Sequence, residues 1–245
     1  MPGKLAVCAT PIGNLEDITA RARRALHDAD VIACEDTRRT GLLLERLEIK
    51  ALRMVSYHEG NEAERARELA QRIERGDTVT LVSDAGTPAI SDPGYRLIRA
   101  CIDRDLEIEV LPGPSSIITA LVASGLPTHR FRFQGFLPRR TGELERVLQS
   151  ADTLVAFESP RRLPDSLAAL AQLAPDRPAA VCRELTKLHE EVARGTLGEL
   201  SRRSLLRRTE LLVREHVSPP PSPAHSRTRA SPAPARKTPG RRAHP

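Results

Sequence analysis

The sequence predicts an α/β protein of two successive domains. Short apolar runs such as Leu5-Ala6-Val7-Cys8, Val31-Ile32-Ala33-Cys34 and Val79-Thr80-Leu81-Val82 have the length and content of strands buried on both faces. Between them lie longer stretches with apolar residues three and four positions apart, the pattern of crossover helices over a parallel sheet. Beyond about residue 125 the alternation starts afresh around Leu154-Val155-Ala156-Phe157. The first domain is placed at residues 1–114 and the second at 115–217.

Residues 4–9 form the first strand and 10–14 its exit loop. Asp17 or Thr19 caps a helix that turns Ala22, Leu26 and Ala29 inward. The strand at 31–34 runs into Glu35-Asp36-Thr37-Arg38-Arg39-Thr40, and a leucine-rich helix follows over 41–47. A short strand lies at 54–56. Asn61, with Glu64 three residues on, is a capping box for a helix facing inward through Leu69 and Ile73. The strand at 78–82 ends at Ser83-Asp84-Ala85-Gly86-Thr87-Pro88, where Gly86 permits a positive φ and Pro88 removes a donor. Asp92-Pro93 reads as the N-cap and first turn of a helix reaching Ile102. A strand at 108–111, the loop Pro112-Gly113-Pro114-Ser115-Ser116 and a helix over 117–124 follow. Open α/β sheets bind ligands outside the carboxyl ends of their strands, so the loops at 10–14, 35–38, 84–88 and 112–116 can line one cleft.

The second unit opens with cations interleaved among aromatics, Arg130 to Arg140. Phe131 and Phe133 alternate toward a core, while Arg139 and Arg140 lie beyond Pro138, outside any strand and free for phosphate contact. A strand at 153–157 ends at Glu158-Ser159-Pro160, before a helix carrying Leu163, Leu167 and Leu170 inward. The strand at 179–182 exits through Arg183-Glu184-Leu185-Thr186-Lys187. Residues 197–200 read as helix, and 205–213 as helix or strand.

Composition narrows the function. With 40% apolar and 29% charged residues the chain is globular, and with four Phe, two Tyr and no Trp its core is aliphatic. The net charge of +6 sits in residues 218–245, which hold five Arg, one Lys and no acid. Residues 1–217 balance at 32 basic against 32 acidic side chains. Eight prolines among the last 28 residues predict a disordered basic tail. The four cysteines are scattered without a CxxC pair, which argues against zinc and for a reducing compartment. No apolar run or leader pattern points to a membrane, so a cytoplasmic protein is expected. Neither GxGxxG nor GxxxxGK[ST] occurs, which disfavours dinucleotide and P-loop enzymes.

Seven motifs, in one order over roughly residues 4–200, resemble the tetrapyrrole methylase superfamily and within it the ribosomal RNA small subunit methyltransferase I family. They are Ala9-Thr10-Pro11-Ile12-Gly13-Asn14-Leu15, Glu35-Asp36-Thr37-Arg38, the 83–88 and 111–116 loops, Gly135-Phe136-Leu137-Pro138, Glu158-Ser159-Pro160-Arg161-Arg162-Leu163 and Arg183-Glu184-Leu185-Thr186-Lys187. The resemblance implies S-adenosylmethionine in a cleft between two α/β domains. It places Asp84, Ala85, Gly86, Thr87, Pro88, Gly113, Thr119 and Ala120 around that cofactor, with Phe157, Arg183, Glu184 and Leu185 approaching from the second domain. It implies 2′-O-methylation of a ribose, a cytidine's, in small-subunit (16S) ribosomal RNA, either free or in the assembled subunit, by a homodimer. Arg38, Arg139 and Arg140 are the expected RNA contacts.

A ribose hydroxyl needs its proton drawn off, so a general base belongs near the methyl group. Glu35, Asp36, Glu184 and Lys187 are candidates; alternatively Glu35 with Arg38, and Glu184 with Lys187, are structural ion pairs. Two other functions remain open: methylation of a tetrapyrrole or a modified-histidine protein by the same superfamily, and RNA binding without catalysis. Relatives implied by the resemblance continue past residues 195–200 with an apolar strand led by Gly-Glu. Here Arg207 to Glu215 and then the proline-rich run stand in that place, as a change of reading frame would produce. The expectation is a second sheet with a missing or poorly replaced strand and an uncovered edge.

Overall fold

A computed structural model describes residues 3–203 and the strand at 209–213; the tail expected to be disordered lies outside the described residues. The first half comprises β1 (Lys4–Cys8), α1 (Ala20–His27), β2 (Val31–Cys34), α2 (Thr37–Arg46), β3 (Met54–Ser56), α3 (Glu62–Glu74), β4 (Val79–Val82), α4 (Tyr95–Ile102) and β5 (Glu107–Leu111). Its five strands are all parallel, in the order β3-β2-β4-β1-β5. Side chains alternate between the faces of a strand, and both faces here are covered. Leu5, Val7, Val31, Ala33, Val79 and Leu81 pack under α3 and α4 against Leu69, Ile73, Leu97 and Cys101. Cys8, Ile32, Cys34 and Val82 pack under α1 and α2 against Ala22, Leu26 and Leu44. Double coverage is why the central strands read as unbroken apolar runs.

Thr19 caps α1 by accepting from the Ala22 amide at 3.1 Å. Two sequence expectations shift here. The second helix starts at Thr37 rather than 41, because the Asp36 carboxylate accepts from the Arg38 amide at 2.9 Å and caps it. The capping box at Asn61 does not form. The Asn61 side chain is occupied by the His58 amide (2.9 Å) and the Ser56 carbonyl (3.1 Å), so it shapes the preceding turn.

The second half comprises α5 (Ser116–Ser124), β6 (Phe131–Phe136), α6 (Thr141–Leu148), β7 (Thr153–Glu158), α7 (Leu163–Leu173), β8 (Pro178–Arg183), β9 (Glu191–Thr196), α8 (Leu197–Ser201) and β10 (Thr209–Val213). The strand order is β6-β7-β10-β8-β9. Only β6 and β7 are parallel; β10 runs antiparallel to both its neighbours, and β8 to β9. Helix alternation therefore predicted parallel pairing correctly for the first sheet and only at one edge of the second. α5 covers one face through Ile117, Ala120 and Leu121 against Val155 and Cys182. α6, α7 and α8 cover the other through Leu144, Leu148, Leu163, Leu167, Leu170, Leu197 and Leu200.

The expected gap in this sheet is absent. β10 pairs with β7 on one side and β8 on the other, in the middle of the sheet. β9 was not foreseen. Phe131 is exposed at the sheet edge instead of facing the core, whereas Phe133 meets Phe157 edge-on with centroids 5.1 Å apart.

Candidate active site

The carboxyl ends of the first sheet carry four loops, and hydrogen bonds tie them into one surface. Thr10 and Gly86 exchange backbone bonds in both directions at 2.9 and 3.0 Å, joining the exits of β1 and β4. The Thr10 hydroxyl donates to the Ser83 carbonyl at 3.1 Å. The Asp84 carboxylate accepts from the Asp36 amide at 3.2 Å and pairs with Arg39 at 3.0 Å, joining the exits of β2 and β4. The Thr87 hydroxyl donates to the Pro114 carbonyl at 3.3 Å, joining β4 to β5. Gly86, at φ +80, takes the left-handed backbone this close approach requires.

The second half closes on the same surface. Leu185 is buried with Val155, Ala120 and Leu121, and Ile12 from the β1 exit packs against that cluster beside Phe157. The Asn14 amide donates to the Thr186 hydroxyl at 3.1 Å. Gly13 sits so near the 185–187 turn that an added Cβ would come within 2.5 Å of the Lys187 side chain and 2.8 Å of the Leu185 carbonyl. Glu184 and Thr186 hold positive φ of 50° and 64°, sparsely populated backbone that persists where surroundings over-determine it. Gly13 and Thr186 carry no sequence signal for this approach, and the Asn14–Thr186 bond beside it joins residues 172 positions apart.

The residues expected around a cofactor therefore gather, with different duties. Pro88 and Gly86 are buried, Asp84 and Thr87 half-buried, and Ala85 exposed. Gly113 is required on its inner side: a Cβ there would lie 2.9 Å from the Ala9 Cβ. Thr119 returns its hydroxyl to the Ser115 carbonyl at 2.8 Å, and Ala120 is buried against the second sheet. Arg183 pairs with Glu191, and Phe157 is half-buried.

Among the candidate bases the carboxylates separate clearly. Glu184 pairs with Lys187 at 3.3 Å, the structural alternative read from the sequence. Arg38 pairs with Asp36 at 3.0 Å and not with Glu35, and hydrogen bonding to Arg38 pulls the Asp36 carboxyl down to about 2. Glu35 has neither a hydrogen bond nor an ion pair among the described residues. Burial, then the Asp84 charge, raises its carboxyl. Glu35, Asp36, Thr37, Arg38, Arg39, Ser56 and Asp84 line an open cleft of about 630 Å³. Glu35 also borders a second hollow of about 320 Å³ with Glu59, Glu62, Ser91, Asp92 and Pro93.

Asp92 is the residue that sequence reasoning misplaced. Gly94, not Asp92, is the N-cap of α4. Burial pushes the Asp92 carboxyl up to about 6, the Glu35 and Asp84 charges push the same way, and a Ser83 hydrogen bond opposes them. Arg139 and Arg140 are both exposed in the turn before α6, the latter its N-cap. That turn is held from below: Arg162 donates to the Leu137 carbonyl at 3.0 Å and pairs with the wholly buried Glu158 carboxylate at 3.2 Å.

Residues 4–201 match the family model for tetrapyrrole (corrin/porphyrin) methylases. A protein of Hydrogenobaculum sp. (strain Y04AAS1), named ribosomal RNA small subunit methyltransferase I, is 49% identical over 200 residues, covering 80% of this chain and 87% of its own. The protein of that name from Mycobacterium tuberculosis (strain ATCC 25618 / H37Rv) is 51% identical over 205 residues, covering 81% and 72%. This chain belongs to the ribosomal RNA small subunit methyltransferase I family of tetrapyrrole methylases. The fold agrees. Uroporphyrin-III C-methyl transferase from Thermus thermophilus, solved in complex with S-adenyl homocysteine, superposes with a TM-score of 0.60 at 21% identity over 87% of this chain and 98% of that one.

Ser115, the N-cap of α5, makes no side-chain capping bond, so the helix's first-turn amides are left to other acceptors. No helix among the described residues is long and apolar enough to cross a membrane, and no group of His, Cys, Asp and Glu among them is arranged to hold a metal.

Proposed function

We propose that this chain transfers a methyl group from S-adenosylmethionine to a ribose 2′-hydroxyl, a cytidine's, of small-subunit ribosomal RNA. The observation that carries the reading is the identity of about half over some 200 residues to proteins named for that substrate. The cleft supports the cofactor. Backbone amides at the start of α5 and the loop at 84–88 suit an amino-acid carboxylate and ammonium, and the apolar group of Ile12, Ala120, Phe157 and Leu185 suits a flat heteroaromatic ring.

The cofactor supplies an electrophilic methyl group, so the protein's part is alignment and proton removal. Asp84 fixes the two loops of the first half against each other, and the Asn14–Thr186 bond fixes the second half against the first. Glu35, unpaired and with its carboxyl raised by burial, is the base of this proposal, accepting the hydroxyl proton at one of its oxygens, and Asp92 borders the same hollow. Glu184 and Lys187 neutralise each other, which supports Glu35 over either of them as the base. Arg38, Arg139 and Arg140 are exposed cations for RNA phosphates. The open apolar face of α5, with Ile118 and Val122 exposed, supports the homodimer.

The deciding experiment is transfer of a labelled methyl group to isolated small subunits and to free RNA, followed by nuclease digestion. Label resistant to alkali at one ribose supports the reading; label on a base, or none on RNA, refutes it.

A further inference from the structure

The loop that leads from β4 into α4 is closed by a side chain from another helix. The N-cap of α4 is Gly94, which has no side chain with which to cap it. Glu62, the first residue of α3, does so instead: its Oε1 accepts from the Gly94 amide at 3.0 Å and the Arg96 amide at 3.1 Å. The Tyr57 hydroxyl donates to the same oxygen at 3.1 Å and accepts from the Leu97 amide at 3.1 Å. Tyr57 is 1% exposed, so its single polar atom is committed to this junction. A carboxylate at a helix N-terminus satisfies orphan amides and complements the helix dipole.

What this cap restrains is an unusual stretch of backbone. Ala89, Ser91 and Gly94 all hold positive φ, at 68°, 60° and 154°. The Ala89 amide returns to the Pro93 carbonyl at 3.3 Å, and a Cβ on Gly94 would sit 3.0 Å from the Ala89 amide nitrogen. Left-handed backbone at non-glycine residues persists only where neighbours impose it. Capping from α3 also relieves Asp92 of that duty and leaves its carboxylate beside Ser83 and Glu35.

We propose that Glu62 is a positioning residue of the active site, holding the 84–94 loop in its binding shape by capping α4 from the neighbouring helix. The inference rests on the reading of residues 84–88 as the cofactor loop. Glu62 acts through Gly94 and Ala89 on the backbone that follows Pro88.

The test uses the full chain with Glu62→Ala, Glu62→Gln and Tyr57→Phe, read by amide hydrogen exchange and by calorimetric S-adenosylmethionine affinity. In Glu62→Ala the amides of Gly94, Arg96 and Leu97 exchange at least about tenfold faster, and the cofactor Kd rises at least about fivefold. Glu62→Gln, whose side-chain oxygen still accepts from both amides, stays within about twofold of the parent on both readings. If Glu62→Ala does not fold, Tyr57→Phe, which loses only the hydroxyl, carries the same two readings at about threefold. Unchanged exchange overturns the proposal, as does faster exchange with unchanged Kd, or Glu62→Gln as damaged as Glu62→Ala. A parent chain that binds no S-adenosylmethionine overturns the proposed function and this inference together. One that binds it but methylates no RNA overturns the acceptor alone.

Discussion

Adding one methyl group at Gly113 tests whether the loop after β5 is seated on β1. The new Cβ would lie 2.9 Å from the Ala9 Cβ, against the 3.5–4.0 Å or so at which carbon atoms pack. Both atoms are fixed to backbone, so neither can swing aside, and the 112–116 loop must lift. Overpacking of this kind costs roughly 1–3 kcal/mol. Were all of it expressed in cofactor binding, affinity would fall by about 5- to 150-fold. Ala9→Gly removes the obstructing methyl and alone costs about 0.5–1 kcal/mol of chain entropy. In the double variant the clash is gone, so Gly113→Ala should add almost nothing to Ala9→Gly, a coupling of about 1–3 kcal/mol. Urea unfolding and calorimetric S-adenosylmethionine titration of the four proteins measure both outlets. Strictly additive costs would refute the reasoning and put the need for glycine on the ligand side of the loop.

Three further outcomes are expected. The Asp92 carboxyl stands at about 6 when folded against 3.8 in the unfolded reference, so the folded chain binds its proton more tightly and loses stability as pH rises through 6. Asp92→Asn should therefore raise the free energy of unfolding at pH 8, by at most about 3 kcal/mol, and leave it nearly unchanged at pH 4; an equal gain at both would exclude the shift. Replacing Arg139 and Arg140 by Ala should weaken RNA binding and flatten its salt dependence by about 0.7 log units per lost contact, with cofactor affinity unchanged; an identical slope would remove that turn from the RNA. Arg162→Met should cost about 1–3 kcal/mol, because the buried Glu158 keeps only its Ser166 and Ser159 donors, and should raise the KM for RNA more than for cofactor; equal effects on both would argue against a role in seating the 137–140 turn.

Which parts of this protein could be read beforehand follows from where each signal is stored. The first sheet is legible because parallel strands covered on both faces must be apolar throughout, as in β2 and β4, where every residue is buried. β9 escaped notice because at a sheet edge only Ala193 is buried, and Glu191, Arg194 and Gly195 read as loop. The start of α2 was hidden by charge: Thr37-Arg38-Arg39 looks like a loop until Asp36 is seen accepting the Arg38 amide. The converging loops of the site were legible from their Gly and Pro punctuation, since strand ends need it. The roles of individual carboxylates were not. Asp92 before Pro93 has the local pattern of a cap, and only Glu62, 32 positions from the Gly94 amide it accepts, takes that duty from it. Glu35 could be told from Asp36 only once Arg38 had been placed beside one of them.

The position of β10 sets a schedule for the newborn chain. The first sheet is complete as soon as residue 111 has been made, because all five of its strands precede that point. The second cannot close in the order it is synthesised: β7 and β8 are both in place about 25 residues or more before the strand that must lie between them. Until Thr209–Val213 arrives, two apolar strands present inward-facing edges with unmet amides and carbonyls. The second half is thus the late-maturing half, exposed to proteases and to wrong strand partners while every strand of the first sheet has already been made.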